Sequence, residues 1–266
     1  MNKIQKQIIK ELKQTAKQLK KSPTRRQVPK LNNKCIKHFT SFNKAKERSG
    51  LKTTNNKFPI PKKSYILDKN LTRIISYLTF DGHLYKDLRG FYLSSKNFKI
   101  LKDFKDTTYK KFNLKGTYQR GTGYGESYKY RIFNLKAGKL LNRLGTPNGD
   151  KMLIKFDIPE WIKKDKKLSR EYLRIAFLCE GSKYKHSKNT ERIKFNLNKT
   201  EELLDEGLNF IESIKLLLKQ FNIETTNTRI TKSNKRKKDG KITKSMIFQI
   251  RSNSFDKFIK EIGWFK

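Results

Sequence analysis

Two acidic residues stand at corresponding places in two similar nonapeptides of this 266-residue chain. The first nonapeptide ends in Asp81-Gly82 and the second ends in Glu180-Gly181. The residues before each acid are mostly apolar, as in a buried helix, and glycine often occupies the left-handed position that ends a helix. Each carboxylate is therefore predicted in the last turn of its helix, where the helix dipole already contributes partial negative charge.

Carboxylates placed in this way suit a metal ion. Two such helices packed side by side bring Asp81 and Glu180 together at one end of the pair, which is unfavourable until cations neutralise them. Mg²⁺ prefers oxygen ligands and binds beside phosphate groups, where it assists phosphodiester hydrolysis. The alternative, two ordinary buried helices, explains the apolar residues but not an acid followed by glycine in both copies. The sequence therefore predicts a Mg²⁺ (or Mn²⁺) site at Asp81 and Glu180.

The two nonapeptides resemble the LAGLIDADG motif of homing endonucleases, in the single-chain, two-motif form that is common in archaea. The segment from Asp68 to Trp264 follows that family's order of helix, strands, helix, strands and helix, taken twice. Residues 144–151 and 157–162 are similar to the family's junction between halves. The resemblance implies an α/β (α+β) fold of two pseudo-symmetric halves whose sheets form a saddle over double-stranded DNA. It also implies site-specific, metal-dependent cleavage of both strands, with one acid per strand.

In that family a basic residue near each acid positions water and screens the charged transition state. Lys96 matches the family's lysine in the first half, because it lies between a predicted strand and a predicted helix. Lys183 follows Glu180 by three residues and matches the basic residue of the second half. Lys199 stands at the place equivalent to Lys96 and is the alternative to Lys183. Because lysines are dense in this chain, each of the three also fits a solvated surface position.

The family usually has glycine at the positions of Ser76 and Ile175, where small side chains let two helix backbones approach. Ser76 is small enough for such an approach, and a shift that uses Ala176 as the contact is an alternative. Ile175 is a departure from the pattern. The sequence therefore leaves open whether the two helices pack tightly enough for cleavage.

The charge balance indicates a polyanionic partner. The chain has 64 lysines and arginines against 24 acids, a net charge of +40, which favours nucleic acid; biased codon usage also contributes to the excess of lysine. No apolar run approaches the length of a membrane-spanning helix and no signal peptide is evident, so a cytoplasmic location is expected. Cys35 and Cys179 are too few for a disulfide framework or a zinc site. Because both halves lie in one free-standing chain, a monomer is expected.

The N-terminal region is predicted to be helical. Helices are expected over 1–20, from a cap at Ser22 toward Lys30, over 33–39 and over 42–49. The string Ser22-Pro23-Thr24-Arg25-Arg26, with the later residues Ile36, Phe39 and 41–45, resembles the homing endonuclease-associated repeat, a small module thought to bind DNA. The alternative is a generic three-helix unit in which Ile36, Phe39 and Phe42 are core residues.

The rest of the chain is divided by composition and by the duplicated pattern. The predicted segments are an N-terminal helical DNA-binding module (1–52), a linker (53–67), the first half (68–145), an inter-half linker (146–168) and the second half (169–266). Within the halves the patterns predict helices at 98–112, 135–144, 201–221 and 255–262, and strands at 128–134, 192–198 and 245–252.

The predicted strands carry basic and amide side chains on one face. Residues 192–198 alternate, with Ile193, Phe195 and Leu197 directed inward and polar residues outward. Arginine and lysine suit guanine edges, and asparagine and glutamine suit adenine, so these faces fit major-groove reading. The predicted DNA-reading residues are Lys129, Arg131, Arg192, Lys194, Asn196, Gln249 and Arg251. The basic run in the predicted hairpin tip, which is expected to contact phosphates or to be a solvated loop, consists of Lys235, Arg236, Lys237 and Lys238.

Two rival functions remain. The first keeps the fold without cleavage, as an intron maturase that binds intron RNA or as a DNA-binding regulator; retention of both acids argues against it. The second, a basic structural protein, explains the charge but not the duplicated acid–glycine pairs. Metal-dependent cleavage separates these functions from an endonuclease, whereas salt-dependent binding does not.

Overall fold

The computed structural model describes residues 1–53, 59–121, 126–187, 190–231 and 233–264. The chain forms two compact units, residues 1–58 and 59–266. Helices and antiparallel sheets are both present, so the predicted α+β class is confirmed. Among the described residues, no helix is long and apolar enough to cross a bilayer.

The first unit consists of three helices, α1 (Lys3–Gln18), α2 (Pro29–Phe39) and α3 (Phe42–Arg48). The helix predicted from Ser22 toward Lys30 is wrong: Pro29 is the first residue of α2, and the Ser22 hydroxyl donates to the Lys52 carbonyl at 2.6 Å. Ile36 was expected in the core as one alternative, but it is exposed. The core of this unit consists of Ile8, Leu12, Leu31, Cys35, Phe39, Phe42 and Ala45.

In the second unit the first half contains three helices and four strands. Its elements are α4 (Lys69–Thr79), β1 (Gly82–Leu84), β2 (Gly90–Ser95), α5 (Phe98–Phe112), β3 (Thr117–Arg120), β4 (Tyr128–Phe133) and α6 (Leu135–Arg143). The strands form an antiparallel sheet in the order β1-β2-β4-β3, called sheet A here. The Asp68 carboxylate accepts a hydrogen bond from the Leu71 amide at 2.9 Å, which fixes the start of α4.

The second half repeats this order with a longer sheet. After the short helix α7 (Glu160–Lys163), its elements are α8 (Lys166–Glu180), β5 (Gly181–Ser187), β6 (Thr190–Thr200), α9 (Leu204–Lys219), β7 (Arg229–Ile230), β8 (Asn234–Lys235), β9 (Ile242–Gln249) and α10 (Phe255–Glu261). The strands β5-β6-β9-β7, with β8 also paired to β9, form sheet B. The last strand lies three residues earlier than predicted, and residues 201–203 form a short 3₁₀ turn before α9.

One hydrophobic core runs through both halves. The inward residues of the alternating strand β6 are buried as predicted. Phe80, the residue that ends α4, packs against rings of the second half, with centroids 5.7 Å from Tyr172, 6.0 Å from Phe195 and 6.2 Å from Phe210. The end of the first motif helix is thus fixed by the core of the other half.

Candidate functional site

The site begins with the contact between helices α4 and α8. The Ser76 hydroxyl donates to the Tyr172 carbonyl at 2.9 Å, so the backbone of α8 lies within reach of a two-atom side chain on α4. Ser76 and Ala176 are fully buried. Ile175 is also buried, yet it does not prevent this contact, and the two helices pack closely despite the departure at that position.

The packing brings the two acids to the same end of the helix pair. Glu180 is the last residue of α8, as predicted, whereas Asp81 follows the C-cap Phe80 of α4 and lies just beyond the helix rather than in its last turn. The Cys179 thiol forms a hydrogen bond with Asp81 across the two halves. Burial raises the pKa of Cys179 well above its usual value, and the charges of Asp81 and Glu180 raise it further. One thiol therefore lies in the field of both carboxylates.

The two glycines after the acids are required for a different reason from the one predicted. Gly181 has φ −78°, and Gly82 is not among the residues with positive φ, so neither closes a helix in the left-handed conformation. A Cβ at Gly181 would lie 2.4 Å from the Phe177 carbonyl oxygen. A Cβ at Gly82 would lie 2.9 Å from both the Leu78 Cα and the Tyr92 carbonyl oxygen. Glycine is needed at both positions because the backbone passes directly from a helix into a strand and packs against the last turn of that helix.

Lys151, in the linker between the halves, is the residue of the site that sequence reasoning missed. Its ammonium donates to the carbonyls of Leu78, Phe80 and Gly82, the last two of which flank Asp81. A cation at a helix C-terminus is favourable because it satisfies carbonyls that lack partners within the helix. Burial lowers the pKa of Lys151 to about 8, and the charges of both acids, Glu180 more than Asp81, act in the opposite direction.

Lys199 binds the backbone of that linker. Contrary to the prediction, it does not reach the site. It is 1 % exposed, and its ammonium donates to the carbonyls of Lys151 at 2.7 Å and Ile154 at 2.6 Å. Burial lowers the pKa of Lys199 to about 8. Because its donors face the linker backbone, this position contradicts contact with a phosphate and gives Lys199 a structural role.

The other two predicted lysines lie at the surface. Lys96 is exposed in the turn between β2 and α5, next to Asn97, whose side chain caps α5. Lys183 lies on β5, two residues into the strand that follows Glu180, and its ammonium forms an ion pair with Glu191 at 3.1 Å. Both remain predictions for the basic residues of the site.

The two acids fit a divalent ion that shares its ligands with a substrate. Among the described residues, no group of three or more His, Cys, Asp or Glu side chains could enclose a metal ion. Mg²⁺ commonly takes one or two protein carboxylates and completes its shell with water and phosphate oxygens. Carboxylate donors suit Mg²⁺ or Mn²⁺, whereas a zinc site needs histidine or cysteine ligands. The charges of both acids act to keep the Lys151 ammonium protonated, against the larger effect of burial, so the two carboxylates attract positive charge to this place.

The outer face of sheet B carries polar side chains in adjacent rows. Lys194 of β6 pairs with Ser182 of β5 on one side and with Gln249 of β9 on the other. Arg192 and Asn196 lie two residues before and after Lys194, on the same face. Arg251 follows the last strand and is exposed. The sheet therefore presents the predicted row of basic and amide groups, and their reading of DNA remains a prediction.

The outer face of sheet A combines basic and aromatic groups. Arg131 pairs with Tyr92 of β2 and with Thr117 of β3, and Lys129 lies two residues before it on the same face. The Lys129 ammonium lies 5.2 Å from the centroid of the Tyr92 ring, and the Arg131 guanidinium lies 5.8 Å from it. The predicted polar row is present in this half, but rings occupy much of it.

The basic hairpin between β7 and β9 is held against the inter-half linker. Arg236 is half-buried, and its guanidinium forms ion pairs with Asp150 at 2.5 Å and with Asp239 at 3.4 Å. The Arg236 guanidinium holds the pKa of Asp150 below its usual value. Arg236 is therefore turned inward, unlike the predicted phosphate contact, whereas Lys235, Lys237 and Lys238 are exposed.

Residues 5–52 match a family model described as "Homing endonuclease associated repeat". A curated relative, the tRNA-splicing ligase RtcB of Methanopyrus kandleri, is 30 % identical over 172 residues, which are 59 % of this chain and 17 % of the relative. The chain spans less than a fifth of the length of the curated relatives that it matches.

Two solved structures are similar at low identity. One is a mesophilic variant of the homing endonuclease I-DmoI, with a TM-score of 0.45 and 14 % identity, covering 76 % of this chain and 91 % of that one. The other is the N-terminal LAGLIDADG domain of DUF199/WhiA, with a TM-score of 0.46 and 15 % identity, covering 79 % and 86 %. The N-terminal prediction is confirmed by the family model: residues 5–52 carry the homing endonuclease associated repeat.

Proposed function

We propose that this protein is a site-specific DNA endonuclease that hydrolyses both strands of a double-stranded target, with Asp81 serving one strand and Glu180 the other. The observation that carries the proposal is the junction of the two motif helices. Two acids from opposite halves end at one place, and a single lysine is buried in the field of both. A structural role for the helices accounts for that lysine, which donates to carbonyls at the end of α4, but not for the two acids.

The two carboxylates would hold Mg²⁺ or Mn²⁺ together with oxygens of the scissile phosphates. When bound, such an ion would supply Lewis-acid chemistry, namely activation of water and stabilisation of charge on the leaving oxygen. Lys151 holds the carbonyls on either side of Asp81 in place, and this fixes the direction in which the Asp81 carboxylate points. Lys96 and Lys183 are proposed to orient water and to screen the phosphate charge.

Sheets A and B are proposed to contact the DNA with their outer faces. Their polar rows lie on the faces opposite the core, and the net charge of +40 provides the attraction to phosphates that does not depend on sequence. Both halves belong to one chain, so a monomer carries both acids and the two half-sites of its target can differ. The repeat at residues 5–52 would lengthen the DNA footprint.

The test is cleavage of a plasmid library that contains candidate target inserts, with Mg²⁺ and with EDTA. We expect linear products with wild type and Mg²⁺, nicked circles with Asp81→Asn or Glu180→Gln alone, and no cleavage with both substitutions or with EDTA. Asp106→Asn is the matched control, because this exposed carboxylate on α5 lies outside the site and should leave cleavage unchanged.

Each other outcome selects a rival. Tight DNA or RNA binding without cleavage in Mg²⁺ or Mn²⁺ would contradict the endonuclease and favour a silent maturase or regulator. Cleavage that persists in the Asp81→Asn/Glu180→Gln double variant would contradict the assignment of the two acids.

A further inference from the structure

Four rings lie together on the outer face of sheet A, immediately after Asp81. We call His83, Tyr85, Tyr92 and Phe133 the aromatic platform. His83 and Tyr92 are paired across β1 and β2 with ring centroids 5.2 Å apart. Tyr85 lies 5.8 Å from Tyr92 and 5.9 Å from Phe133, and its ring is parallel to that of Phe133 within 6°. The other ring pairs are tilted by 31° to 82°, so the four rings form one contiguous cluster rather than a flat plane.

Phe133 is the exposed member of the platform, and His83, Tyr85 and Tyr92 are half-buried. Phe133 is 55 % exposed, whereas its neighbour on β4, Ile132, lies on the opposite face of the sheet and is buried. Single exposed apolar residues are common, but a contiguous group of rings on one face marks a binding surface. The occupant of the platform must therefore offer flat or apolar groups.

Cations surround the rings. The Arg89 guanidinium lies 5.0 Å from the centroid of the Tyr85 ring, and the Arg131 guanidinium lies 5.8 Å from the centroids of both Tyr92 and Phe133. The nearby carboxylate of Asp87 is already paired with Arg89 at 3.5 Å. A partner that combines flat rings with negative charge fits this arrangement, and a nucleotide chain has both.

Sheet B shows that rings are not a general requirement of the strand faces. Its outer row consists of Arg192, Lys194, Asn196 and Gln249, with Tyr184 as a neighbouring ring 5.6 Å from the Lys194 ammonium. Such groups read the edges of paired bases. In a regular duplex the faces of the bases are stacked inside the helix, so the rings of sheet A can stack only on bases that have left it.

We propose that the aromatic platform binds unpaired nucleotides by stacking, next to the position of Asp81. This inference rests on the proposed function in one respect, namely that sheet A faces nucleic acid. It adds that the two halves recognise different states of the nucleic acid: sheet B reads paired bases, and sheet A binds bases that have left their pair. The proposed occupant is an unpaired stretch of the DNA that the protein binds, and preference for RNA is an outcome of the test that would contradict it.

The experiment measures binding of the full chain by fluorescence anisotropy in EDTA, where metal-dependent cleavage does not interfere. The probes are a perfect duplex, the same duplex with a two-nucleotide bubble, single-stranded DNA and single-stranded RNA. Stacking on one ring corresponds to roughly a five- to hundredfold change in affinity. We expect the bubble to bind at least about tenfold more tightly than the perfect duplex. Single-stranded DNA should bind at least as tightly as single-stranded RNA, and a clear preference for the RNA would contradict the proposed occupant.

The variants Phe133→Leu and Tyr85→Leu keep an apolar side chain and remove the ring. Each should reduce the preference for the bubble about fivefold or more while binding of the perfect duplex changes little. Tyr118→Leu is the matched control: Tyr118 is an exposed ring of sheet A on the helix-facing side, 4.9 Å from the centroid of the buried Tyr130. It should leave the preference unchanged.

A second readout does not depend on the variants. 2-Aminopurine placed in the bubble should lose fluorescence when wild type binds, because stacking on a ring quenches it. Equal affinity for bubble and perfect duplex, or loss of preference in Tyr118→Leu as large as in Phe133→Leu, would overturn the proposal. Binding is measured without metal, so absence of cleavage would affect only the endonuclease assignment, and absence of the bubble preference would affect only the platform.

Discussion

Replacement of Gly181 tests why glycine follows the acids. In Gly181→Ala the new Cβ would lie 2.4 Å from the Phe177 carbonyl oxygen and 3.1 Å from the Phe177 Cα, both backbone atoms. The chain must move by roughly 1 Å to relieve this contact, because ordinary contacts of this kind begin near 3.4 Å. Overpacking costs about 1–3 kcal/mol, and the upper end is expected where neither partner is a flexible side chain.

We expect Gly181→Ala to lower the free energy of unfolding by about 3 kcal/mol and the melting temperature by about 6–12 °C. Both tryptophans, Trp161 and Trp264, lie in the unit of residues 59–266, so tryptophan fluorescence in urea follows this unit alone. Because Glu180 precedes the displaced residue, cleavage should fall about a hundredfold at temperatures where the variant is still folded.

The control is Gly149, which has φ +86° and no atom closer than 4.0 Å to a new Cβ. At Gly149 asparagine should be tolerated better than alanine, because asparagine adopts the left-handed conformation more readily. At Gly181 asparagine should have no such advantage: Gly181→Asn should cost at least as much as Gly181→Ala, because it adds the same Cβ and the backbone is not left-handed there. If Gly181→Asn proves milder than Gly181→Ala, the steric explanation is refuted and a left-handed helix end is restored.

Three further predictions concern the residues around the acids. Lys151→Met should lower stability by about 2 kcal/mol, because three carbonyls at the end of α4 lose their donor; an unchanged urea midpoint would contradict this. Ser76→Val should cost about 2 kcal/mol by separating α4 from α8, and Ser76→Ala about 1 kcal/mol through loss of the bond to Tyr172; equal costs would show that the helices are not in close contact. The folded pKa of Lys199, about 8, lies below its ordinary value of 10.5. The unfolded state therefore holds more protons between these values, and stability should rise with pH across that window by up to about 3 kcal/mol; urea unfolding at pH 7.5 and 10 should show a smaller rise in Lys199→Met, and an equal rise would contradict the assignment.

The order of elements could be predicted because each depends on local pattern. Residues 98–112 form the predicted helix without correction, and the alternation of 192–198 gave the correct buried face. These features follow from periodicity and from caps, which lie within a few residues of the elements that they define. The helix expected from Ser22 failed because Pro29 is a better helix start, and the Ser22 hydroxyl found a partner far along the chain instead.

The meeting of Asp81 and Glu180 at one end of the helix pair could be predicted, but most of their surroundings could not. Asp81 and Glu180 stand out because a duplicated acid–glycine pair is unusual. Lys151 is one of many lysines, and nothing in its spacing separates it from the others; only the fold brings the linker to the end of α4. Lys199 illustrates the reverse error, since equivalence by position assigned to the site a side chain that the tertiary structure buries against the linker backbone.

The contacts of Phe80 have a consequence during synthesis of the protein. This ring fixes the end of α4 beside Asp81, yet its partners Tyr172, Phe195 and Phe210 all belong to the second half. A nascent chain of which only the first half has emerged contains the basic strands of sheet A. It lacks the rings of the second half that hold the end of α4 beside Asp81. Contacts between such distant residues form late in folding. Under the proposed function, a prematurely terminated translation product would bind DNA through these strands without being able to cleave it.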